Sequence, residues 1–310
     1  PFFMSNTLHI LNGDSTLNRF KASGIEGETF VWREVLSDGP VPIEFGSDAF
    51  WSVRDSFMTP EFNFESGQYL KDIIPFKALE ERLAQYQEIV LWFEYDLFCQ
   101  INMIALIQWI GKQNLDSTIS LVCVGKIDDS DQLFGLGEIE AMRYTELLES
   151  RLKLGAREFD FCSDVYEGYC STDPNDLYNY ILMSFSGFPY LPDALEVHLK
   201  RFPNKETGLT EIEEKLVSFI KAGETDKIKL VTKMLSWQRY HGFGDQQYIN
   251  VLNRLKPLFE DFETLVLKSK QNKEEIEKLV NRDNRLGGAK LSDWYWDDQE
   301  KTLIPREPAS

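Results

Sequence analysis

The chain alternates short, continuous apolar runs with segments that carry a helical apolar stripe. Leu8 to Leu11 is an apolar run ended by Asn12-Gly13-Asp14-Ser15, and Thr16 to Ser23 follows, closed by Gly24. A run stopped by turn residues reads as a strand, and a periodic segment that ends on glycine reads as a helix. Phe30-Val31-Trp32 is a second strand, running into Arg33-Glu34-Val35-Leu36 and broken at Ser37-Asp38-Gly39-Pro40. Strand, helix, strand is the opening of a βαβ unit. Residues 41 to 75, rich in Phe, Pro, Gly and Ser, predict irregular structure with one or two short helices, and a helix over Ala78 to Gln87 follows. Ile89-Val90-Leu91-Trp92-Phe93 is apolar at every position, which predicts a strand buried on both faces, as in a parallel sheet covered by helices. That strand ends at Glu94-Tyr95-Asp96, an apolar helix runs from Phe98 to Ile110, and Ser120 to Val124 is the next strand, ended by Gly125.

Beyond it, Ile139 to Phe185 has a helical pattern in which Asp173-Pro174 opens one helix, and Ala194 to Lys200 is another. Asn204 to Gly208 reads as a connector. Thr210 with Glu213 three residues on completes a capping box, and helices are expected at Asp226 to Gln238 and Asp245 to Phe259. Leu286 to Leu291 and Trp294 to Ile304 then read as strands, with a hairpin turn near Asp297 to Lys301. The expected fold is α/β: a Rossmann-like, mostly parallel sheet over residues 4–138, a helical segment over 139–204 packing on it, and a winged-helix-like α+β module over 205–310.

A length of 310 residues suits two domains, or one with a sizeable appendage, and an apolar fraction of 43% leaves ample material for a core. Pro1 to Phe3, ahead of Met4, are expected to lie outside the fold. No window approaches the roughly 20 consecutive apolar residues of a membrane span, and no signal-peptide pattern opens the chain, so a cytoplasmic protein with no membrane partner is expected. Cys99, Cys123, Cys162 and Cys170 form no C-x-x-C pair and suit reduced thiols. With only His9, His198 and His241, and no H-E-x-x-H, no dedicated metal centre is expected.

Charge divides the chain. The net charge is −18, and residues 1–210 hold 16 Lys and Arg against 33 Asp and Glu, whereas residues 211–290 hold 15 against 13. Phosphate contact needs a basic surface, so the front domain is not expected to bind nucleic acid, while the rear module remains open to it. Lys268, Lys270, Lys273, Lys278, Arg282, Arg285 and Lys290 form a basic stretch, but Glu274, Glu275, Glu277 and Asp283 interrupt it, the pattern of a solvated helix with ion pairs.

Three places in the front domain can carry chemistry. Ligands in doubly wound folds settle outside the carboxyl ends of the strands, where a helix amino terminus offers free N–H groups and partial positive charge. The Gly13-Asp14-Ser15-Thr16 turn is such a place, with glycine for close approach and two hydroxyls for an oxyanion; the plain alternative is a tight turn with Asp14 or Ser15 as helix cap. Glu94 and Asp96 stand two apart at a strand end and suit a magnesium ion, a ribose or acid–base work, with Gln100 one helical turn on. The alternative there is an acidic helix cap at Asp96 and a solvated Glu94. Arg33 can clamp a phosphate or carboxylate through its planar fork while Trp32 stacks on a ring, or Trp32 can be a core residue, Arg33 and Glu34 a surface pair, and Gly39-Pro40 a turn. In the rear, His241 and Asp245 can reach a site only if their loop folds over the mouth of the front domain.

Several landmarks recur together: Leu8 to Ser15, Trp32 to Pro40, Leu91 to Gln100, Leu191-Pro192-Asp193-Ala194-Leu195 through Arg201-Phe202-Pro203, Gly208-Leu209-Thr210 with Glu213, Gly244-Asp245 and Trp294-Tyr295-Trp296-Asp297. In this order they resemble the bacterial family catalogued as domain of unknown function 1835. The resemblance covers most of the chain and implies no established activity and no known cofactor. Asn12-Gly13-Asp14-Ser15-Thr16-Leu17 also looks like the amino-terminal signature of the GDS-type lipases and esterases, which implies Ser15 as nucleophile. The Asp-x-x-His pair and the Gly-x-Asn-Asp block of that superfamily have no counterpart here. No G-x-G-x-x-G or G-x-x-x-x-G-K-[ST] is present either. The leading expectation is therefore a small anionic ligand, phosphorylated or nucleotide-like, at the strand ends. The alternatives are a ligand-sensing regulator whose rear module contacts DNA or a protein, and a serine esterase using Ser15.

Overall fold

The computed structural model describes residues 6–128, 130–279 and 284–306. In chain order the front half runs β1 (Thr7–Asn12), α1 (Asp14–Ser23), β2 (Glu28–Trp32), β3 (Gly39–Pro40), α2 (Asp48–Glu61), α3 (Gln68–Glu80), β4 (Glu88–Glu94), α4 (Leu97–Gly111) and β5 (Thr118–Val124). Strands β1, β2, β4 and β5 pair in parallel in the order β2-β1-β4-β5, and β6 (Leu152–Lys153) adds an antiparallel edge. The alternation of β4 shows why a continuous apolar run is needed here. Ile89, Leu91 and Phe93 enter the main core beneath α4, while Val90 and Trp92 enter a second core with Phe20 of α1 and Tyr144. Helix α4 is apolar all round because it is buried all round, packed between the sheet and later helices.

Those later helices are α5 (Tyr144–Glu149), α6 (Ala156–Cys170), α7 (Tyr178–Leu182) and α8 (Leu191–Leu199). Helices α6 and α8 cover α4, so this segment packs on the domain that precedes it. Helices α2 and α3 are 14 and 13 residues long, well beyond the short helices expected in 41–75. Pro60 and Pro75 lie inside them, and the apolar faces through Phe50, Trp51, Ile73 and Phe76 outweigh the lost backbone bonds. The helix expected over Ala78 to Gln87 is instead the end of α3, which stops at Glu80.

The rear module holds α9 (Glu211–Lys221), α10 (Lys227–Trp237) and α11 (Asp245–Arg254), followed by a two-stranded ribbon of β7 (Phe259–Asp261) and β8 (Val266–Leu267), and then α12 (Lys273–Leu279). Thr210 and Glu213 form the expected capping box at the start of α9. These elements share one core, from Leu209 to Ile276. Three helices and a ribbon is the winged-helix order, but the ribbon is β7-β8 and not the carboxyl-terminal pair. β9 (Arg285–Gly287), β10 (Ala289–Lys290), β11 (Trp294–Asp297) and β12 (Thr302–Pro305) return to the front instead. β9 pairs with β3, and Leu286, Ala289, Trp296 and Leu303 bury in the front core. Short strands show their period locally, whereas their partner is chosen by tertiary packing. None of the described helices is long and apolar enough to cross a membrane.

Candidate functional site

Strands β1 and β4 are neighbours, and the chain leaves them in opposite directions, β1 toward β2 and β4 toward β5. This is the topological switch point of a doubly wound sheet, and the turns after both strands open there. At the first turn Gly13 holds φ 91° and ψ 163°, a region open in practice to glycine alone. Its N–H donates to Trp32 O at 3.1 Å, and a Cβ there would meet open space. No side chain among the described residues caps α1. The N–H groups of Asp14, Ser15 and Thr16 thus lack helical partners, as at helix ends that receive anions. Ser15 is exposed. Thr16 is not: its hydroxyl is buried and donates to Asn12 O, so of the two hydroxyls expected at this turn only that of Ser15 is accessible. Arg33 reaches the turn through two bonds to Asp14, of 2.7 and 2.9 Å, and this exposed pair holds the Asp14 carboxyl below its ordinary range.

The second turn is built differently. Asp96 caps α4 by accepting the N–H of Cys99 at 2.8 Å, as its acidic-cap reading anticipated. Glu94 is not solvated: one oxygen accepts the N–H of Leu136 at 2.7 Å. Glu94, Asp96 and Cys99 present ligand atoms within 4.8 Å of one another. Burial, then the neighbouring Asp96 charge, pushes Glu94 up to about 8, and burial pushes Asp96 up as well. The pair therefore holds a proton near neutrality. Two carboxylates and a thiol also form a donor set for a divalent cation, with the thiol favouring a metal of intermediate softness. Asn12 joins the turns, donating to Cys99 Sγ at 2.8 Å while it accepts from Asn102. Gln100 does not face the crevice. It is fully buried and braces the strand end by donating to Glu94 O at 2.6 Å.

Two loops cover the acid pair. Residues Gly135 to Glu138 bridge the turns, touching Ser15 through Gly137 and Glu94 through Gly135 and Leu136. From the rear module, Tyr240 O accepts the N–H of Leu97 at 2.6 Å, and Gly242 lies so close to Asp96 that a Cβ would collide with it. The loop that carries His241 thus does fold onto the front domain, but the imidazole does not enter the site. It is buried beside Trp237, 3.4 Å from Glu211, and burial pushes it below its ordinary value. Asp245 is exposed in the first turn of α11.

The remaining expectations separate cleanly. Glu34 is no surface partner of Arg33. It is buried and bonded to the fully buried Arg54 and to Tyr69, and Arg54 also donates to the carbonyls of Val35, Asp38 and Pro40. Trp32 lies in the core. Asp38 pairs with Arg201 and with Gln247 of α11, tying three parts of the chain together. Of the basic stretch, Lys273 donates to Lys205 O and Arg285 to Gly288 O, while Arg282 and Asp283 lie outside the described residues. No histidine among the described residues hydrogen-bonds to Ser15. His9 is held by Glu26 O and Trp92, and His198 is enclosed beside Tyr169 and Phe202. Asn12 and Cys99 carry no local sequence signal for a site, whereas the two glycines flanking Leu136 shortly after β5 mark a close backbone approach. No family model matches the chain, and no curated protein matches it.

Proposed function

We propose that the front domain binds a small anionic ligand, phosphorylated or nucleotide-like, at the carboxyl ends of β1 and β4. The observation that supports this most is the start of α1 at the switch point, where Gly13 holds a glycine-only backbone, no described side chain caps the helix, and Asp14 and Ser15 are exposed. Asp14 and Arg33 neutralise one another at the rim, so the helix end keeps its partial positive charge. Glu94, Asp96 and Cys99 would hold a cation or a sugar hydroxyl deeper in the same crevice. The reading assigns binding and leaves Ser15 as a ligand hydroxyl, since an ester nucleophile needs a base beside it. It sits well with four free thiols in a reducing, cytoplasmic setting and with the resemblance to the domain of unknown function 1835 family, which brings no activity of its own.

One observation favours a second role, as a ligand-sensing regulator. Tyr240 to Gly242 rest on the cap of α4, so ligand occupancy beside Asp96 bears directly on how the rear module is seated. DNA contact by α11, the third helix of the winged-helix order, competes with its docking. Asn250 and Arg254 bond to Glu61 and Gln247 to Asp38.

A thermal-shift panel of nucleotides, phosphosugars and inorganic phosphate, each with and without Mg²⁺ or Mn²⁺, tests the binding reading. At least one phosphorylated compound should raise Tm in the native chain and fail to do so in Gly13→Val and Ser15→Asp. An aspartate in the first turn favours the helix while repelling an anion, so Ser15→Asp separates lost binding from lost folding. A panel without a hit, or hits that survive both substitutions, overturns the reading.

A further inference from the structure

Among the described residues strand β2 is the open edge of the sheet, pairing with β1 alone. Trp32 O accepts the N–H of Gly13, so Trp32 and, by the strand period, Phe30 turn their backbone groups toward β1. Thr29 and Val31 turn theirs outward, where the described residues offer them no hydrogen-bond partner. Natural edges are usually blunted by proline, a bulge or a covering segment. Here the edge instead borders a groove of about 710 Å³ with α3 as its opposite wall. Phe30, Trp32, Phe64, Ile73 and Phe76 line it, and the Trp32 indole N–H is buried without a partner. Lys71 stands exposed on the rim, its ammonium in no ion pair or hydrogen bond among the described residues.

We propose that this groove takes an extended peptide segment of a partner protein, added as a sixth strand alongside β2. The unpaired N–H and C=O groups of Thr29 and Val31 call for a strand and not merely an apolar body. The aromatic lining selects apolar side chains at alternate positions, because successive residues of a strand face opposite ways. At the rim Lys71 offers its ammonium to an acidic residue or a terminal carboxylate, beside Asp72, which accepts from Gln68. The groove adjoins the switch-point turn at Arg33, which lines the groove and bonds to Asp14.

The test is to pan a random heptapeptide phage library against the full chain and synthesise the enriched sequences. Alternating apolar sequences with an acidic residue are expected. Added to the ¹⁵N-labelled protein, they should slow hydrogen exchange at the Thr29 and Val31 amides. Two changes should each weaken binding about fivefold or more, roughly one hydrogen bond: alternate N-methylation of the peptide, and Val31→Pro, which removes one outward N–H at an edge that tolerates proline. Lys71→Glu should weaken it too. The N-methylated peptide needs no altered protein, so misfolding of a variant cannot mask the result. Three outcomes overturn the proposal: no enrichment; exchange at Thr29 and Val31 unchanged by the peptides; or full affinity after N-methylation, which would mark a pocket that reads side chains or small molecules.

Discussion

Replacing Glu94 by glutamine probes the electrostatics of the crevice without disturbing its shape. Glutamine keeps the oxygen that accepts the Leu136 N–H and removes the ionisable proton. Burial, with the Asp96 charge second, pushes Glu94 up to about 8 from its ordinary 4.5. Between these values the folded state binds a proton that the unfolded state has released, so stability must fall as pH rises. The slope for one proton is at most about 1.4 kcal/mol per pH unit, which accumulates to a few kcal/mol by pH 8. Below pH 4.5 both states are protonated and stability no longer depends on pH through this group. Urea unfolding at pH 5, 6, 7 and 8 reads it directly. The native chain should lose stability across this series, and Glu94→Gln should lose less, becoming the more stable protein toward pH 8. Asp96 shares the release, so part of the slope remains in the variant. If the two proteins ran in parallel with pH, differing only by a constant, Glu94 would not be a raised acid and the account of the crevice would fail.

Three further predictions follow from other parts of the structure. Arg54→Ala leaves Glu34 buried and three carbonyls without their donor, and should cost about 3–5 kcal/mol in denaturant unfolding; a cost under about 1 kcal/mol would show that this network is not what holds the 34–40 segment. Gly13→Ala meets no atoms but must adopt a glycine-only conformation, so it should destabilise by about 1–3 kcal/mol, and an unchanged urea midpoint would refute the backbone geometry claimed for the turn. Divalent ions replace protons at Glu94 and Asp96, so stabilisation by Mn²⁺ should grow from pH 6 to pH 8 and disappear in the Asp96→Asn variant; a shift independent of pH points to ions bound elsewhere.

Much of the front domain was legible because its signals are local. The β1 run, Gly13 and Gly24 delimit strand, turn and helix between Thr7 and Gly24, and the unbroken apolar character of β4 announces its two covered faces. Helices α2 and α3 were not, since Pro60 and Pro75 read as breakers until Phe50, Trp51 and Phe76 are seen to meet in one core. The candidate site was half legible. Gly13 and Asp96 declare themselves by residue type and position, but Cys99 sits in an apolar run that reads as core, and its meeting with Asn12, 87 positions away, depends on strand order. The covering loops at 135–138 and 240–242, and the burial of Glu34 by Arg54, are long-range events with no periodic signal.

The central claim is that an anion binds the open start of α1. The most direct measurement is a titration of the ¹⁵N-labelled protein with whichever phosphorylated compound raises Tm, following the backbone amides of Asp14, Ser15 and Thr16. The account predicts saturable shifts at these three amides, with an affinity matching the thermal effect and both lost in Ser15→Asp. Binding that leaves them unmoved while shifting residues of the β2 groove or the rear module would contradict it.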